Sequence, residues 1–257
     1  MNNNEYICFN QNDYKIFSYI DDCFRELAIE HFNANELYVP SLISEQVLKK
    51  ANYISSFPHQ LTIASYIDKN YSLHSKKIQN SNLYLTPSAC LHIYPMLENK
   101  AIKNCAFTTR AQVYRHESED FDGRTRLWNF TVREIVFVGG EDFVKSSLKT
   151  FELYVLDFVE KFDLNIKILP ATDHFYPTKE NIIKEKMQLT NSLKKELICN
   201  INGQDISLAS FNFHGFHFSK PFNFDSNSSI VSGCIGFGLE RWIAALKRKN
   251  LIGKDKK

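Results

Sequence analysis

The sequence contains no C-x-x-C pair. Its 6 cysteines, Cys8, Cys23, Cys90, Cys105, Cys199 and Cys234, stand singly along the chain, which suits reduced thiols better than a disulfide framework. Any metal site must therefore be assembled from distant parts of the chain. No stretch of about 18 uncharged apolar residues occurs, and the start, MNNNEYICFNQNDYK, has no cationic segment leading into an apolar core, so neither a membrane span nor a leader is expected. Net charge is also scarce: 31 basic side chains face 29 acidic ones, too even a balance for the basic sheath of sequence-independent nucleic-acid binding. A soluble, cytoplasmic protein with no membrane partner is the expectation. Neither G-x-G-x-x-G after a parallel strand nor the G-x-x-x-x-G-K-[ST] loop is present, which removes both common nucleotide fingerprints.

What is there is ample for a core. With 257 residues, 44% of them hydrophobic and 14% aromatic, the chain is read as one globular unit over 1–257. Asp13 can cap a helix whose apolar positions Ile16, Ile20, Phe24, Leu27 and Phe32 keep near-helical spacing, with Asn33 to Asn35 as the stop. A short strand ELYVPSLIS follows, and Pro40 inside it argues for an edge or a bulge. A short helix around Ser44 to Ala51, strand-like FPHQLTIASYI and NLYLTP, and a helix start at Pro87 come next.

Two alternating runs, Ala106 to Glu117 and Arg126 to Gly140, are joined by the polar link ESEDFDGRT and read as an antiparallel hairpin with a long loop. Glu141 to Phe162 is the clearest amphipathic helix. It precedes LNIKILP, read as a buried strand, and then KKELICNI and ISLASFNFH. Long hairpins with helices appended, and no βαβ alternation, predict an α+β fold: an antiparallel sheet flanked by helices.

Three segments carry residues suited to chemistry. The first strand of the hairpin ends in Tyr114, Arg115, His116 and Glu117; the second carries Arg126, Leu127, Phe130, Arg133 and Glu134. Alternation puts Arg115 and Glu117 on one face. An arginine beside a carboxylate suits a polyphosphate with an amine-bearing ring nearby, and equally suits a solvated cross-strand ion pair. Near the end, SIVSGCIGFGLERW runs from a strand into a helix. Gly236 and Gly238 leave room for a ligand or merely serve packing, and Arg241 falls in the first helical turn. Cys234 has three readings at this level: a nucleophile, a metal ligand, or a small buried hydrophobe.

The order of these pieces resembles the three signature motifs of class II aminoacyl-tRNA synthetase catalytic domains, with the detail closest to the seryl branch. There the hairpin reads F-R-x-E … R-x-x-Q-F-x-K-x-E; here it stands as Y-R-H-E … R-L-W-N-F-T-V-R-E, and the third motif as G-x-G-x-x-R. Within that group the chain is similar to the amino acid:[carrier protein] ligases, in which a zinc is held by Cys, Glu and Cys. The resemblance carries those positions onto Cys90, Glu134 and Cys234, leaving a fourth tetrahedral position for the substrate's amino group.

The same resemblance implies a two-step reaction. ATP and a small amino acid, glycine or alanine by preference, give an aminoacyl-adenylate; the thiol of a phosphopantetheinylated acyl or peptidyl carrier protein then takes the aminoacyl group. It implies Arg115 between the α-phosphate and the carboxylate, and Arg241 on the γ-phosphate. Glu117, Arg126 and Leu127 would read adenine, with Phe130 stacked under it. Glu196 would be the magnesium partner, and Ser210 and Asn212 would line the ribose or phosphate side. One departure falls in ATDHFYP, where His174 stands in place of a proline. Seryl-tRNA synthetases carry a long helical arm that would take about 100 heptad-patterned residues, and none is seen, so tRNA charging is disfavoured. A different adenylate-forming paralogue and a catalytically inactive amino-acid sensor are two further readings. The joint presence of Arg115, Arg241, Cys90, Glu134 and Cys234 argues against the sensor. A homodimer is implied, with the first motif around Tyr38 to Ser44 as its interface.

Overall fold

The computed structural model describes residues 8–67, 78–116, 125–201, 203–224 and 229–247. Helix α1 (Gln11–Phe32) is capped by Asn10, whose side-chain oxygen accepts from the N–H groups of Asn12 and Asp13 at 2.9 and 3.0 Å; Asp13 sits in the first turn, where its charge suits the helix dipole. The helix stops at Asn33 in the left-handed region (φ 49°). The expected single strand ELYVPSLIS is two strands, β1 (Asn35–Leu37) and β2 (Leu42–Ser44), which enter different sheets on either side of Pro40. Helix α2 (Glu45–Lys50) is capped by Ser44, and α3 (Tyr53–Ser56) leads to a single 3₁₀ turn at Pro58–Gln60. Strands β3 (Ile63–Ile67) and β4 (Ile78–Leu85) complete a three-stranded sheet in the order β2-β4-β3. The helix expected from Pro87 begins two residues later as a 3₁₀ turn, Ala89–His92, continuing into α4 (Ile93–Leu97).

The hairpin forms as expected. Strands β5 (Cys105–Tyr114) and β6 (Asn129–Gly139) pair antiparallel along their whole length. Helix α5 (Glu141–Glu160), strand β7 (Ile166–Pro170), helix α6 (Lys179–Thr190), strands β8 (Lys194–Ile201), β9 (Gln204–Gly215) and β10 (Val231–Gly238), and helix α7 (Leu239–Lys247) follow. The seven-stranded sheet has the order β1-β5-β6-β10-β9-β8-β7 and is antiparallel except for the pair β1 and β5. Strand β7 is its edge and is half-exposed, not buried.

Period-two alternation gives the large sheet two different faces. Ile135, Phe137, Phe211, Ile235 and Phe237 face α1, α5 and α7. Phe24 of α1 stacks on Phe237 with ring centroids 3.8 Å apart and meets buried Trp242 of α7 at 5.3 Å. Gly233 is needed here, because a Cβ at that position would lie 2.8 Å from Leu148 of α5 and 2.9 Å from the Asn212 carbonyl. The alternate residues, Glu134, Val136, Cys234 and Gly236 among them, face the other way, toward the turn at Ala89–His92 and the small sheet. No described helix is long and apolar enough to cross a membrane.

Candidate active site

On the open face of the sheet, Gly236 lies opposite both Glu134 of β6 and Ser210 of β9, and Cys234 lies opposite Val136 and Asn212. That register puts Glu134, Ser210, Asn212, Cys234 and Gly236 side by side. Cys90 reaches the same place from the turn after β4, its N–H donating to Glu134 Oε2 at 3.0 Å. Three residues separated by 44 and 100 positions in sequence thus meet. The two sulfurs and a carboxylate oxygen lie within 4.8 Å of one another, and all three side chains are buried.

The electrostatics of this cluster are those of acids held out of water. Burial pushes the Glu134 carboxyl up, and the hydrogen bonds from Cys234, Cys90 and the Cys90 N–H offset this only in part. The hydrogen bond with Cys90, then burial and the neighbouring carboxylate, hold the Cys234 thiol well above its ordinary range. A divalent cation is the counter-charge that lets such a group ionise. Donors about 2.3 Å from a common tetrahedral centre stand roughly 3.8 Å apart, a spacing compatible with the cluster, and two sulfurs with one oxygen suit a borderline-soft ion such as zinc. Among the described residues this is the one group of three or more such donors.

The neighbours of the cluster are polar. Ser88 Oγ lies 3.2 Å from Cys90 Sγ, and Asn212 Nδ2 approaches Cys234 Sγ at 3.6 Å while donating to Ser210 Oγ at 3.2 Å. His214 Nε2 lies 3.5 Å from Cys234 Sγ. Burial pushes this imidazole down to about 3. The sequence shows no histidine adjacent to Cys234, but His214 follows Ser210 and Asn212 at spacing two on β9, so alternation puts all three on one face.

The cluster opens on a cleft of about 550 Å³ whose walls include Arg115, Arg126, Leu127, Phe130, Glu196, Ser210, Asn212 and Arg241 together with Cys90, Glu134 and Cys234. Glu117 lies outside the described residues. Arg115 donates from Nε to the Pro87 carbonyl at 2.9 Å, and its guanidinium lies 5.4 Å over the ring of Phe130. Arg241 donates to the carbonyls of Thr125 (2.7 Å) and Ser207 (3.1 Å). Gly236 and Gly238 border the cleft, and a Cβ at either would make only ordinary contacts with protein atoms.

Glu196 is engaged. Its Oε1 lies 3.1 Å from the ammonium of Lys194, which also sits 2.7 Å from Asp173 Oδ1. Burial would lower Lys194, but Asp173 and Glu196 more than offset it and keep the ammonium charged. Burial likewise acts to raise Asp173, and the charge of Lys194 outweighs it and holds the carboxyl below its ordinary range. Gln188 of α6 closes this network on Asp173 at 2.7 Å. His174, beside it, is exposed at the cleft wall. The whole assembly offers two guanidinium groups for phosphates, an aromatic ring for a planar base, and a buried donor set for a metal.

No protein-family model matches the chain. It is 25% identical over 244 residues to amino acid–[acyl-carrier-protein] ligase 2 of Bradyrhizobium diazoefficiens, covering 87% of this chain and 71% of that protein. It is 23% identical over 258 residues to the type-2 serine–tRNA ligase of Methanococcus aeolicus, covering 89% of this chain but only 49% of that one. Among solved structures it superimposes on M. kandleri SerRS, crystallised with A. aeolicus tRNASec, with a TM-score of 0.74 at 17% identity, over 91% of this chain and 52% of that one. The chain therefore has the fold of class II aminoacyl-tRNA synthetase catalytic domains, and the family resemblance read from its motifs is matched by its relatives in sequence.

Proposed function

We propose that this chain is an ATP-dependent ligase that activates a small amino acid, glycine or alanine, as its adenylate and transfers it to the phosphopantetheine thiol of a carrier protein. The observation that carries the reading is the buried Cys90, Glu134 and Cys234 cluster, set on the wall of the cleft that also holds Arg115, Phe130 and Arg241. The likeness to amino acid–[acyl-carrier-protein] ligases supports the reaction class. Free cysteines support work in a reducing compartment, the cytoplasm.

Cys90, Glu134 and Cys234 would hold zinc, which when bound supplies a Lewis-acidic position for a neutral amine. Glu196 would share magnesium with the phosphates of ATP. The remaining work belongs to the chain's own groups. Phe130 offers its face to adenine, and Arg115, already seated over that ring, spans the α-phosphate and the amino-acid carboxylate. Two anions must meet there, and fixed positive charge between them lowers the barrier. The carboxylate is already a nucleophile: its oxygen attacks the α-phosphorus, the bond to the bridging oxygen breaks, and pyrophosphate leaves. Arg241 exchanges its carbonyl partners for the γ-phosphate and keeps ATP bent. In the second step the pantetheine sulfur attacks the acyl carbon and AMP leaves, so no protein side chain becomes acylated.

The likeness to serine–tRNA ligases favours one rival, transfer to tRNA. Pyrophosphate exchange with each small amino acid, followed by addition of a pantetheinylated carrier protein or of tRNA, separates the two. Exchange with glycine or alanine and a thioester on the carrier is the expected result. No exchange with any amino acid sinks the ligase reading, and aminoacylated tRNA in its place sinks the carrier reading.

A further inference from the structure

The cysteine cluster is surrounded by groups that its three residues do not account for. Two nitrogens of β9 reach Cys234 Sγ: Asn212 Nδ2 at 3.6 Å and His214 Nε2 at 3.5 Å. The other ring nitrogen of His214, Nδ1, stands 3.1 Å from Ser232 Oγ and 3.3 Å from the Tyr94 hydroxyl. Phe218 meets the imidazole edge-on at 4.9 Å and stacks on Tyr94 at 4.1 Å. The ring is therefore packed on its side and bonded at both nitrogens. Two hydroxyls face Nδ1, and a hydroxyl hydrogen can rotate to donate. The sulfur facing Nε2 can only accept once it is a thiolate. The network assigns the tautomer: Nδ1 accepts, and Nε2–H points at the sulfur.

We propose that His214 is a positioning residue for the metal cluster, donating its Nε2–H, together with the Asn212 amide, to the Cys234 thiolate. This rests on the reading of Cys90, Glu134 and Cys234 as ligands of a zinc-like ion. Two thiolates and a carboxylate bring three negative charges to one dication. A sulfur that shares its lone pairs with N–H groups is the weaker electron donor, so the metal keeps more Lewis acidity for the neutral ligand in its fourth position. The hydrogen bonds also fix the direction from which the sulfur approaches, the usual task of groups behind a metal ligand.

Cobalt(II) in place of zinc makes the contact visible, because thiolate ligation gives a sulfur-to-cobalt charge-transfer band. In His214→Phe that band moves to longer wavelength, and cobalt retention against a competing chelator weakens roughly ten- to a hundredfold. His214→Gln, which can still present an N–H, stays near wild type. Ser232→Ala, which removes the nearer of the two hydroxyls at Nδ1 without touching the cluster, falls between the two and decides the matter if His214→Phe does not fold. A wild-type band with unchanged wavelength and affinity in both His214→Phe and Ser232→Ala overturns the inference alone. A wild-type protein with no sulfur-to-cobalt band overturns the metal reading and this inference with it.

Discussion

Arg115 and Arg241 are anchored in different ways, and the difference predicts different losses. Arg115 is seated over Phe130 and bonded to the Pro87 carbonyl, so its fork is aimed before ATP arrives. Lysine keeps the charge but loses the planar fork. Arg115→Lys is expected to cut kcat for pyrophosphate exchange by about 10²–10³, the scale of one lost oxyanion donor. Arg241 is bonded to main-chain carbonyls of two separate segments and is assigned to the phosphate farthest from the reacting atom. Arg241→Lys is therefore expected to raise KM for ATP more than it lowers kcat. Identical kcat and KM profiles for the two variants would remove the division of roles. Cys234→Ser tests the cluster: metal analysis is expected to find zinc content falling toward zero, and content equal to wild type removes the ligand assignment. At this scale the sequence was legible through motif order alone. Lys194 and Asp173 escaped because each acts through a contact that a one-dimensional pattern does not contain.

The elements that hold the site are joined by charge as well as by apolar packing. Arg133 of β6 points away from the cleft and makes two hydrogen bonds to Asp21 of α1, at 2.6 and 3.0 Å, with both side chains buried. Removing Asp21 leaves the buried Arg133 guanidinium with only the longer 3.3 Å contact to part-exposed Glu36, so Asp21→Leu alone is expected to cost about 3 kcal/mol in urea unfolding. Asp21→Leu with Arg133→Met is expected to recover most of that loss, and equal destabilisation in the single and double variants would refute the argument. A second tie, Glu152 of α5 with Lys195 of β8 (2.8 Å) and Lys149 (2.9 Å), predicts a pH dependence. Burial acts to raise the Glu152 carboxyl, but the two lysines outweigh it and hold it below its ordinary range. Its contribution is thus full above the unfolded carboxylate value near about 4.3 and is lost as pH falls through the lower folded value. Glu152→Gln should be less stable than wild type at pH 7, with the gap closing at acid pH; a gap that stays constant to pH 2 contradicts this. Helices α1 and α5 and the β5–β6 hairpin were legible because each buries a stripe or face of the expected period. Helix α6 was not, since Ile182, Ile183, Met187 and Leu189 are exposed and it buries no such stripe. Strands β1 and β2 were read as one strand, because pieces of three residues each carry no period that would mark the break between them at Pro40.

At the scale of the whole molecule, alternation foretold an antiparallel sheet, but the parallel β1–β5 pair and the order β1-β5-β6-β10-β9-β8-β7 depend on contacts far apart in sequence. The same is true of the Cys90, Glu134 and Cys234 cluster, which two strands and a turn assemble from distant residues. Among the described residues, one apolar surface is open to solvent. Tyr38 is 92% exposed, and Leu42, Ile63, Tyr66, Ile67 and Ile78 on the three-stranded sheet and its approach are all largely open to solvent. Ile67 and Ile78 are direct cross-strand partners, so two of these side chains form one apolar step on an antiparallel pair. So much exposed aliphatic and aromatic surface beside the segment from Tyr38 to Ser44 supports the homodimer implied by the family resemblance. Sedimentation is expected to give the mass of two chains. Leu42→Glu with Ile67→Glu places like charges against an apolar partner surface and should halve that mass while leaving the circular dichroism unchanged. A wild-type monomer, or a variant that sediments as the wild-type dimer does, moves the interface elsewhere.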